Sequence, residues 1–88
     1  MTSSGPNLHL YKFDSCPFCV RVMDVIDDQN IKVVYKDIMM EPDSLSQLIA
    51  DTGKRTVPCL YIDGKPMFES ADIINWLTQN SDNLEKNS

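Results

Sequence analysis

Two cysteines lie where one sequence periodicity changes into another. The segment FDSCPFCVRV, residues 13–22, contains Cys16 and Cys19, with a proline directly after the first cysteine. Residues 8–13 alternate apolar and polar side chains as a strand does, whereas residues 17–29 carry apolar side chains at helical spacing. The proline fits a first helical turn, where its missing N–H would have no partner. The pattern therefore predicts a strand, a turn that carries Cys16, and a helix that carries Cys19.

The rest of the chain alternates between strand and helix patterns. Residues 31–38 are rich in β-branched side chains and predict a second strand, and residues 41–53 predict a second helix that ends at a glycine. Two short strands, residues 59–62 and 66–69, flank an Asp-Gly pair, which is a strong hairpin signal. A last helix is predicted over residues 70–80. The order β-α-β-α-β-β-α predicts an α/β fold with a four-stranded mixed sheet flanked by helices.

The apolar spacing also indicates which helical side chains face the core. They are Val20, Met23, Val25 and Ile26 in the first helix, Leu45, Leu48 and Ile49 in the second, and Ile73, Ile74 and Leu77, with Trp76 alongside, in the third. Ser70 is predicted to be the N-cap of the last helix. We expect a flexible N-terminus over residues 1–7, one folded domain over residues 8–80, and a polar C-terminal tail over residues 81–88 that frays.

Length and charge narrow the classes of function. Eighty-eight residues make one small domain, and the formal net charge of −5 is expected to repel nucleic acid and anionic membrane surfaces. No apolar run approaches the roughly 20 residues that a membrane-spanning helix needs. The first residues lack the basic start and apolar centre of a signal peptide. We therefore expect a cytoplasmic monomer with no nucleic-acid or membrane partner.

The cysteine count separates a working thiol pair from a structural one. The chain has three cysteines, and an odd number argues against a framework of disulfide bridges. A Cys16–Cys19 bridge would close a very short loop, so it would stabilise the fold weakly and open readily. Zinc binding needs four ligands, and the other candidates, His9 and Cys59, do not form a second pair. We therefore favour redox chemistry and expect no tightly bound metal.

The two paired cysteines are expected to have unequal roles. A helix N-terminus favours an anion, so the predicted position of Cys16 favours its thiolate, which is the reactive form of cysteine. Cys19 lies one turn later on the same face, deeper and away from the first N–H groups. This indicates that Cys16 attacks a disulfide and that Cys19 resolves the mixed disulfide that results. Cys59 is interpreted either as a small buried hydrophobe or as a regulatory thiol.

Taken together, these motifs resemble those of glutaredoxins. The matching features are CPFC after the first strand, TVP before the third, DGK in the hairpin and ESADIINWL at the last helix, over roughly residues 8–80. The segments LYKFDSCPFCVRV and ESADI are also similar to the N-terminal domains of glutathione transferases. The resemblance implies a thioredoxin-like fold, a cis peptide bond before Pro58, and glutathione as co-substrate.

The resemblance also implies a set of glutathione contacts. The main chain of Val57 would pair with the cysteinyl part of glutathione, and Ser70 would hold the γ-glutamyl carboxylate at the start of the last helix. Asp72 would meet the γ-glutamyl ammonium, and Glu69 matches the acidic residue of the transferase pair. The remaining implied contacts are Lys12, Phe18, Thr56 and Pro58.

Three positions depart from the common glutaredoxin pattern. Phe68-Glu69 stands where many members have Gly-Gly, and Phe18 replaces a tyrosine. The usual lysine would fall at Phe13, whereas Lys12 is one residue earlier, so Lys54 or Arg55 is an alternative cation for the glycyl carboxylate.

The implied activity is that of a dithiol glutaredoxin, which reduces protein disulfides or glutathione mixed disulfides. Its partners would be glutathione and disulfide-bonded or glutathionylated proteins. Two alternatives stay open at this point. One is an iron–sulfur carrier, in which Cys16 of two chains and two glutathiones hold a cluster. The other is a glutathione-binding interaction domain related to the N-terminal domains of transferases.

Overall fold

Four strands and three helices follow one another in the predicted order. The structure, a computed structural model, describes residues 6–87. The strands are β1 Leu8–Lys12, β2 Val34–Asp37, β3 Cys59–Ile62 and β4 Lys65–Met67. The helices are α1 Pro17–Asp28, α2 Pro42–Thr52 and α3 Ser70–Asn80, with a short 3-10 helix, Ser81–Asn83, after them. The predicted thioredoxin-like α/β fold is confirmed. No helix within residues 6–87 is both long enough and apolar enough to cross a bilayer.

The sheet topology brings the ends of two strands together. The strands lie in the order β2-β1-β3-β4, with β1 parallel to β2 and β3 antiparallel to both of its neighbours. In the parallel pair, Lys12 lies opposite Asp37, the last residue of β2. The carboxyl ends of β1 and β2 therefore meet at one edge of the sheet. The turn that carries Cys16 leaves β1 at this edge.

Two clusters of buried side chains cover the two faces of the sheet. The larger cluster joins β1 and β3 to α1 and α3, and its members are Leu8, Leu10, Val22, Ile26, Ile31, Leu60, Ile73, Leu77 and Leu84. The smaller cluster lies under α2 and contains Tyr11, Ile38, Leu48, Cys59 and Tyr61. One cluster is thus aliphatic, whereas the other includes two tyrosines and a cysteine.

Each helix buries fewer of its apolar side chains than their spacing predicts. In α1 the buried residues are Cys19, Val22 and Ile26. Val20 is 39% exposed, so its predicted core position is wrong, because the buried row runs through Cys19, Val22 and Ile26 instead. Ile49 is likewise 40% exposed, since α2 buries Ser44 and Leu48 instead. Ile73 and Leu77 of α3 are buried as predicted.

The start of α3 differs from the prediction. Ser70 is the first residue of the helix, and the N-cap is Glu69, whose side chain makes no capping hydrogen bond. Glu69 has φ +74°, a left-handed conformation that is uncommon for any residue except glycine. The prediction of Ser70 as N-cap is therefore wrong, because the chain already turns into the helix at the residue before it.

The C-terminal tail packs onto the domain as far as residue 87. Leu84 is 4% exposed and belongs to the larger cluster. The Lys32 N–H donates to the Glu85 carbonyl at 2.8 Å, and the Asn87 N–H donates to the Asn30 carbonyl at 3.0 Å. The predicted fraying is therefore wrong for residues 81–87, because one leucine and a short run of main-chain bonds hold them. Of the predicted flexible N-terminus, residues 1–5 lie outside the described residues.

Candidate active site

Cys16 lies at the N-cap of α1, where the turn after β1 becomes helix. Its backbone is extended, with φ −84° and ψ 115°, and its carbonyl accepts the Val20 N–H at 3.0 Å. The Cys16 N–H donates to the Phe13 carbonyl at 3.2 Å, which closes the turn. The N–H groups of a first helical turn have no partner inside the helix and point towards its N-terminus. The Cys16 side chain is therefore placed where a negative charge is favoured.

Cys19 lies one helical turn deeper than Cys16. Its side chain is fully buried, whereas Cys16 keeps 7% of its surface exposed, and both are free thiols. Burial raises the pKa of Cys19 to about 12, although a main-chain hydrogen bond from Phe13 acts in the opposite direction. A hydrogen bond with Cys16 also stabilises the protonated form of Cys19. The two sulfurs are adjacent but unequal, since the inner one is held as a thiol.

A cleft of about 270 Å³ lies beside the start of α1. It is lined by residues of three separate segments: Phe18, then Thr56, Val57 and Pro58, then Glu69 and Ser70. All six belong to the set of predicted glutathione contacts. Phe18, which stands between the two cysteines in sequence, is 56% exposed. The predicted cis bond between Val57 and Pro58 is confirmed. The fold thus brings the three predicted segments together around one cleft.

Two of the predicted contacts do not line this cleft. The Lys12 ammonium is bound to Asp14 at 2.7 Å and to Asp37 at 3.4 Å. Asp72 lies in the first turn of α3 and is exposed, two residues beyond Ser70. The structure therefore separates these two side chains from the six that share the cleft.

The role of Asp37 was missed by the reasoning from sequence. Its carboxylate faces Lys12, and it also accepts main-chain N–H groups from Met39 at 2.9 Å and Met40 at 3.1 Å. A usable signal was present, because Lys12 and Asp37 each lie one residue before the end of a predicted strand, and two strands joined by a helix pair in parallel. An acidic and a basic side chain at the ends of such strands lie side by side.

Cys59 lies apart from the other two cysteines, inside the smaller cluster. It is fully buried, and burial raises the pKa of its thiol to about 11. These properties fit the interpretation of Cys59 as a small buried hydrophobe better than that of a regulatory thiol. Across residues 6–87, His, Cys, Asp and Glu side chains form no group of three or more that could hold a metal ion.

Comparisons with known proteins agree with this architecture. The glutaredoxin family model matches residues 8–67. A chloroplastic glutaredoxin of rice (Oryza sativa subsp. japonica), glutaredoxin-C4, is 42% identical over 53 residues, which are 57% of this chain and 40% of the rice protein. The crystal structure of a wheat glutaredoxin superposes with a TM-score of 0.64 at 27% identity, over 85% of this chain and 73% of the wheat chain.

The fold is also shared with glutathione transferases, as the sequence resemblance implied. A glutathione transferase homologue of Drosophila mojavensis, solved with bound glutathione, superposes with a TM-score of 0.75 at 18% identity. The match covers 88% of this chain and 36% of that one. This chain thus spans about two fifths of the rice protein and about a third of the transferase homologue. Because the family model extends from the start of β1 to the end of β4, more than half of the chain, this protein belongs to the glutaredoxin family.

Proposed function

We propose that this protein is a dithiol glutaredoxin, a glutathione-dependent thiol–disulfide oxidoreductase with Cys16 as its nucleophile. Membership of the family supports a glutathione-related thiol oxidoreductase in general terms. One observation carries the more specific proposal: Cys16 lies at the N-cap of α1, and the fully buried Cys19 lies one turn further along the same helix. This arrangement gives an outer thiol that keeps 7% of its surface exposed and a second, inner thiol one helical turn away.

The reaction with a glutathione mixed disulfide uses Cys16 alone. The Cys16 thiolate attacks the glutathione sulfur, the original S–S bond breaks, and the protein thiolate leaves and takes up a proton. Cys16 then carries glutathione through a new disulfide. A second glutathione thiolate attacks this disulfide, which forms glutathione disulfide and returns Cys16 as a thiolate.

The reaction with a protein disulfide also uses Cys19. Attack by Cys16 gives a mixed disulfide between the two proteins and one free substrate thiol. Cys19 then attacks the Cys16 sulfur, and the second substrate thiol leaves. Cys19 loses its proton in this step, and the leaving substrate sulfur takes one up. Two glutathiones reduce the resulting Cys16–Cys19 disulfide.

The cleft and the residues around it have the groups that the proposed co-substrate needs. Val57 offers main-chain groups to the cysteinyl part of glutathione, and Ser70 lies at the N-terminus of α3, where a carboxylate is favoured. Lys54 is our candidate for the glycyl carboxylate, since its ammonium lies 5.0 Å from the ring centroid of Phe68, next to the cleft residue Glu69. Asp72 remains the proposed partner of the γ-glutamyl ammonium.

The substrates are disulfide-bonded or glutathionylated proteins, and the protein works as a monomer without a tightly bound metal. The net charge of −5 supports the absence of nucleic-acid and anionic membrane partners. We propose a cytoplasmic location, which fits free cysteines in a reducing compartment.

A second candidate function is glutathione binding without turnover. It is favoured by Glu69 and Ser70, the pair similar to that of transferases, which both line the cleft. The two functions differ in one observable. A binding domain would retain glutathione in an equilibrium measurement and would fail to reduce a glutathionylated peptide.

The test is a coupled assay with glutathione, glutathione reductase, NADPH and a small glutathione mixed disulfide. Cys16→Ser is expected to reduce turnover to the background rate, because no nucleophile remains at the helix start. Cys19→Ser is the matched control: it should keep reduction of the mixed disulfide and lose most reduction of a protein disulfide. Full activity of the Cys16→Ser protein would overturn the assignment.

A further inference from the structure

The ammonium of Lys12 is already occupied by groups outside the cleft. Its Nζ lies 2.7 Å from Asp14 Oδ1, 3.4 Å from Asp37 Oδ2 and 5.7 Å from the ring centroid of Tyr35. The Lys12 side chain is only 12% exposed. None of these three neighbours lines the cleft. The charge therefore points into the junction between β1 and β2.

The Asp37 carboxylate holds two different parts of this junction. One oxygen faces Lys12, and the other accepts the N–H groups of Met39 and Met40, which form the turn between β2 and α2. Only 14% of the Asp37 side chain is exposed. Asp14 lies in the turn that carries Cys16. Because Lys12 binds both Asp14 and Asp37, it connects this turn to the turn after β2.

Lys12 and Asp37 both keep their charges near neutral pH. The hydrogen bond from Lys12 to Asp14 raises the pKa of the lysine, against the effect of its own burial. Burial alone would raise the pKa of Asp37, but the Met39 and Met40 N–H groups and the Lys12 ammonium together lower it. Both groups therefore stay ionised over the pH range of the proposed thiol chemistry.

We propose that Lys12 is a positioning residue for Cys16, which fixes the active-site turn to the end of β2, and that it makes no contact with glutathione. The inference rests on the proposed function, since it concerns the same thiol. Asp14 is two residues from Cys16, and the Phe13 carbonyl accepts the Cys16 N–H at 3.2 Å, so a shift of this turn moves the nucleophile. To reach the cleft, the ammonium would have to leave both carboxylates.

The first test separates positioning from binding by steady-state kinetics. In Lys12→Met we expect kcat to fall about tenfold, with the KM for glutathione unchanged, because misplacing a nucleophile slows the reaction without removing a binding contact. Lys12→Arg should recover most of the rate, since a guanidinium pairs with both carboxylates. A lysine that held glutathione would give the opposite result, a raised KM with kcat preserved, and that result would overturn the proposal.

Asp37→Asn provides an independent variant. Asparagine keeps an oxygen for the Met39 and Met40 N–H groups but weakens the pair with Lys12. We expect a lower kcat, in the same direction as Lys12→Met. If Lys12 were a glutathione contact, its release from Asp37 would instead lower the KM for glutathione. The control is Lys65→Met, an exposed lysine on β4 at the opposite end of the sheet, which should leave both constants unchanged.

Hydrogen exchange gives a readout that does not require activity. In Lys12→Met the amides of Met39 and Met40 should exchange several-fold faster than in the wild-type protein, because their acceptor is no longer held by Lys12. Exchange at these amides that is unaffected in both Lys12→Met and Asp37→Asn would overturn the proposal. An inactive wild-type protein with the expected exchange would contradict the proposed function while leaving the link between the two turns in place.

Discussion

Cys16 and Cys59 have similar burial and very different surroundings. Cys16 is 7% exposed and Cys59 is fully buried, so exposure alone barely separates them. Cys16, however, lies at a helix N-terminus, two residues from the exposed Phe18 ring that lines the cleft. Cys59 lies within β3, and the cluster under α2 surrounds it.

The difference indicates how the fold gives two cysteines of the same chain different surroundings, one at a helix N-terminus and one inside an apolar cluster. Cys16 lies at the N-terminus of α1, where the helix dipole favours an anion. Burial disfavours the thiolate of Cys59 and raises its pKa to about 11. Cys16 follows the turn after β1, whereas Cys59 lies in the cluster under α2, so we expect exposure of Cys59 to require the larger movement.

The largest expected effect is a difference in reaction rate between the two thiols. In native protein at neutral pH, iodoacetamide or glutathione disulfide should modify Cys16 at least about a thousandfold faster than Cys59, since opening the cluster at a cost of about 4 kcal/mol slows reaction by that factor. Peptide mass spectrometry after timed quenching measures both rates. In denaturant the two rates should converge, and comparable rates in native protein would restore the regulatory interpretation of Cys59.

A smaller effect is expected from Cys59→Ala. Removal of the buried sulfur leaves a small cavity, so the free energy of unfolding should fall by about 1–2 kcal/mol while glutathione-dependent turnover stays unchanged. Urea denaturation measures the first quantity and the coupled assay the second. A large loss of turnover with unaltered stability would mean that Cys59 takes part in the chemistry, and the contrast with Cys16 would fail.

The smallest effect is a dependence of stability on alkaline pH. The pKa of Cys59 is about 11 in the folded protein against an ordinary 9.0, so the unfolded chain loses this proton first. The corresponding stability is complete below about pH 9 and is lost as the pH rises to about 11. Urea titrations with a reductant present should show the unfolding free energy decreasing over this window. The decrease should be shallower in Cys59→Ala, which loses the contribution of Cys59 and keeps those of Cys19, Lys12 and the tyrosines whose pKa is also raised, Tyr11, Tyr35 and Tyr61. Parallel slopes in the two proteins would contradict the assignment.

The elements that local signals define were predictable from sequence. The predicted residues of β3 and α3 match the structure, because an Asp-Gly pair marks the hairpin and apolar side chains repeat at helical spacing. The spacing did not show which of two adjacent apolar rows faces the sheet, as Val20 and Ile49 demonstrate. That choice depends on how each helix is seated on strands distant in sequence.

The same limit applies to the candidate site. The cleft residues were found because short motifs that resemble those of glutaredoxins carry them, and the fold then brings the motifs together. The position of the Lys12 ammonium was not found, since it depends on Asp37, which is 25 residues away. The position of a long, flexible side chain depends on the groups that bind its end. For Lys12 these groups are known only once the pairing of β1 with β2 is known.

The docked tail has a practical consequence for anyone who shortens this chain. A cut after α3 looks natural from the polar composition of residues 81–88, but it would delete Leu84 from the larger cluster and the main-chain partners of Asn30 and Lys32. The smallest fragment worth expressing therefore extends to residue 87, and an affinity tag at that end is best separated from the domain by a flexible spacer.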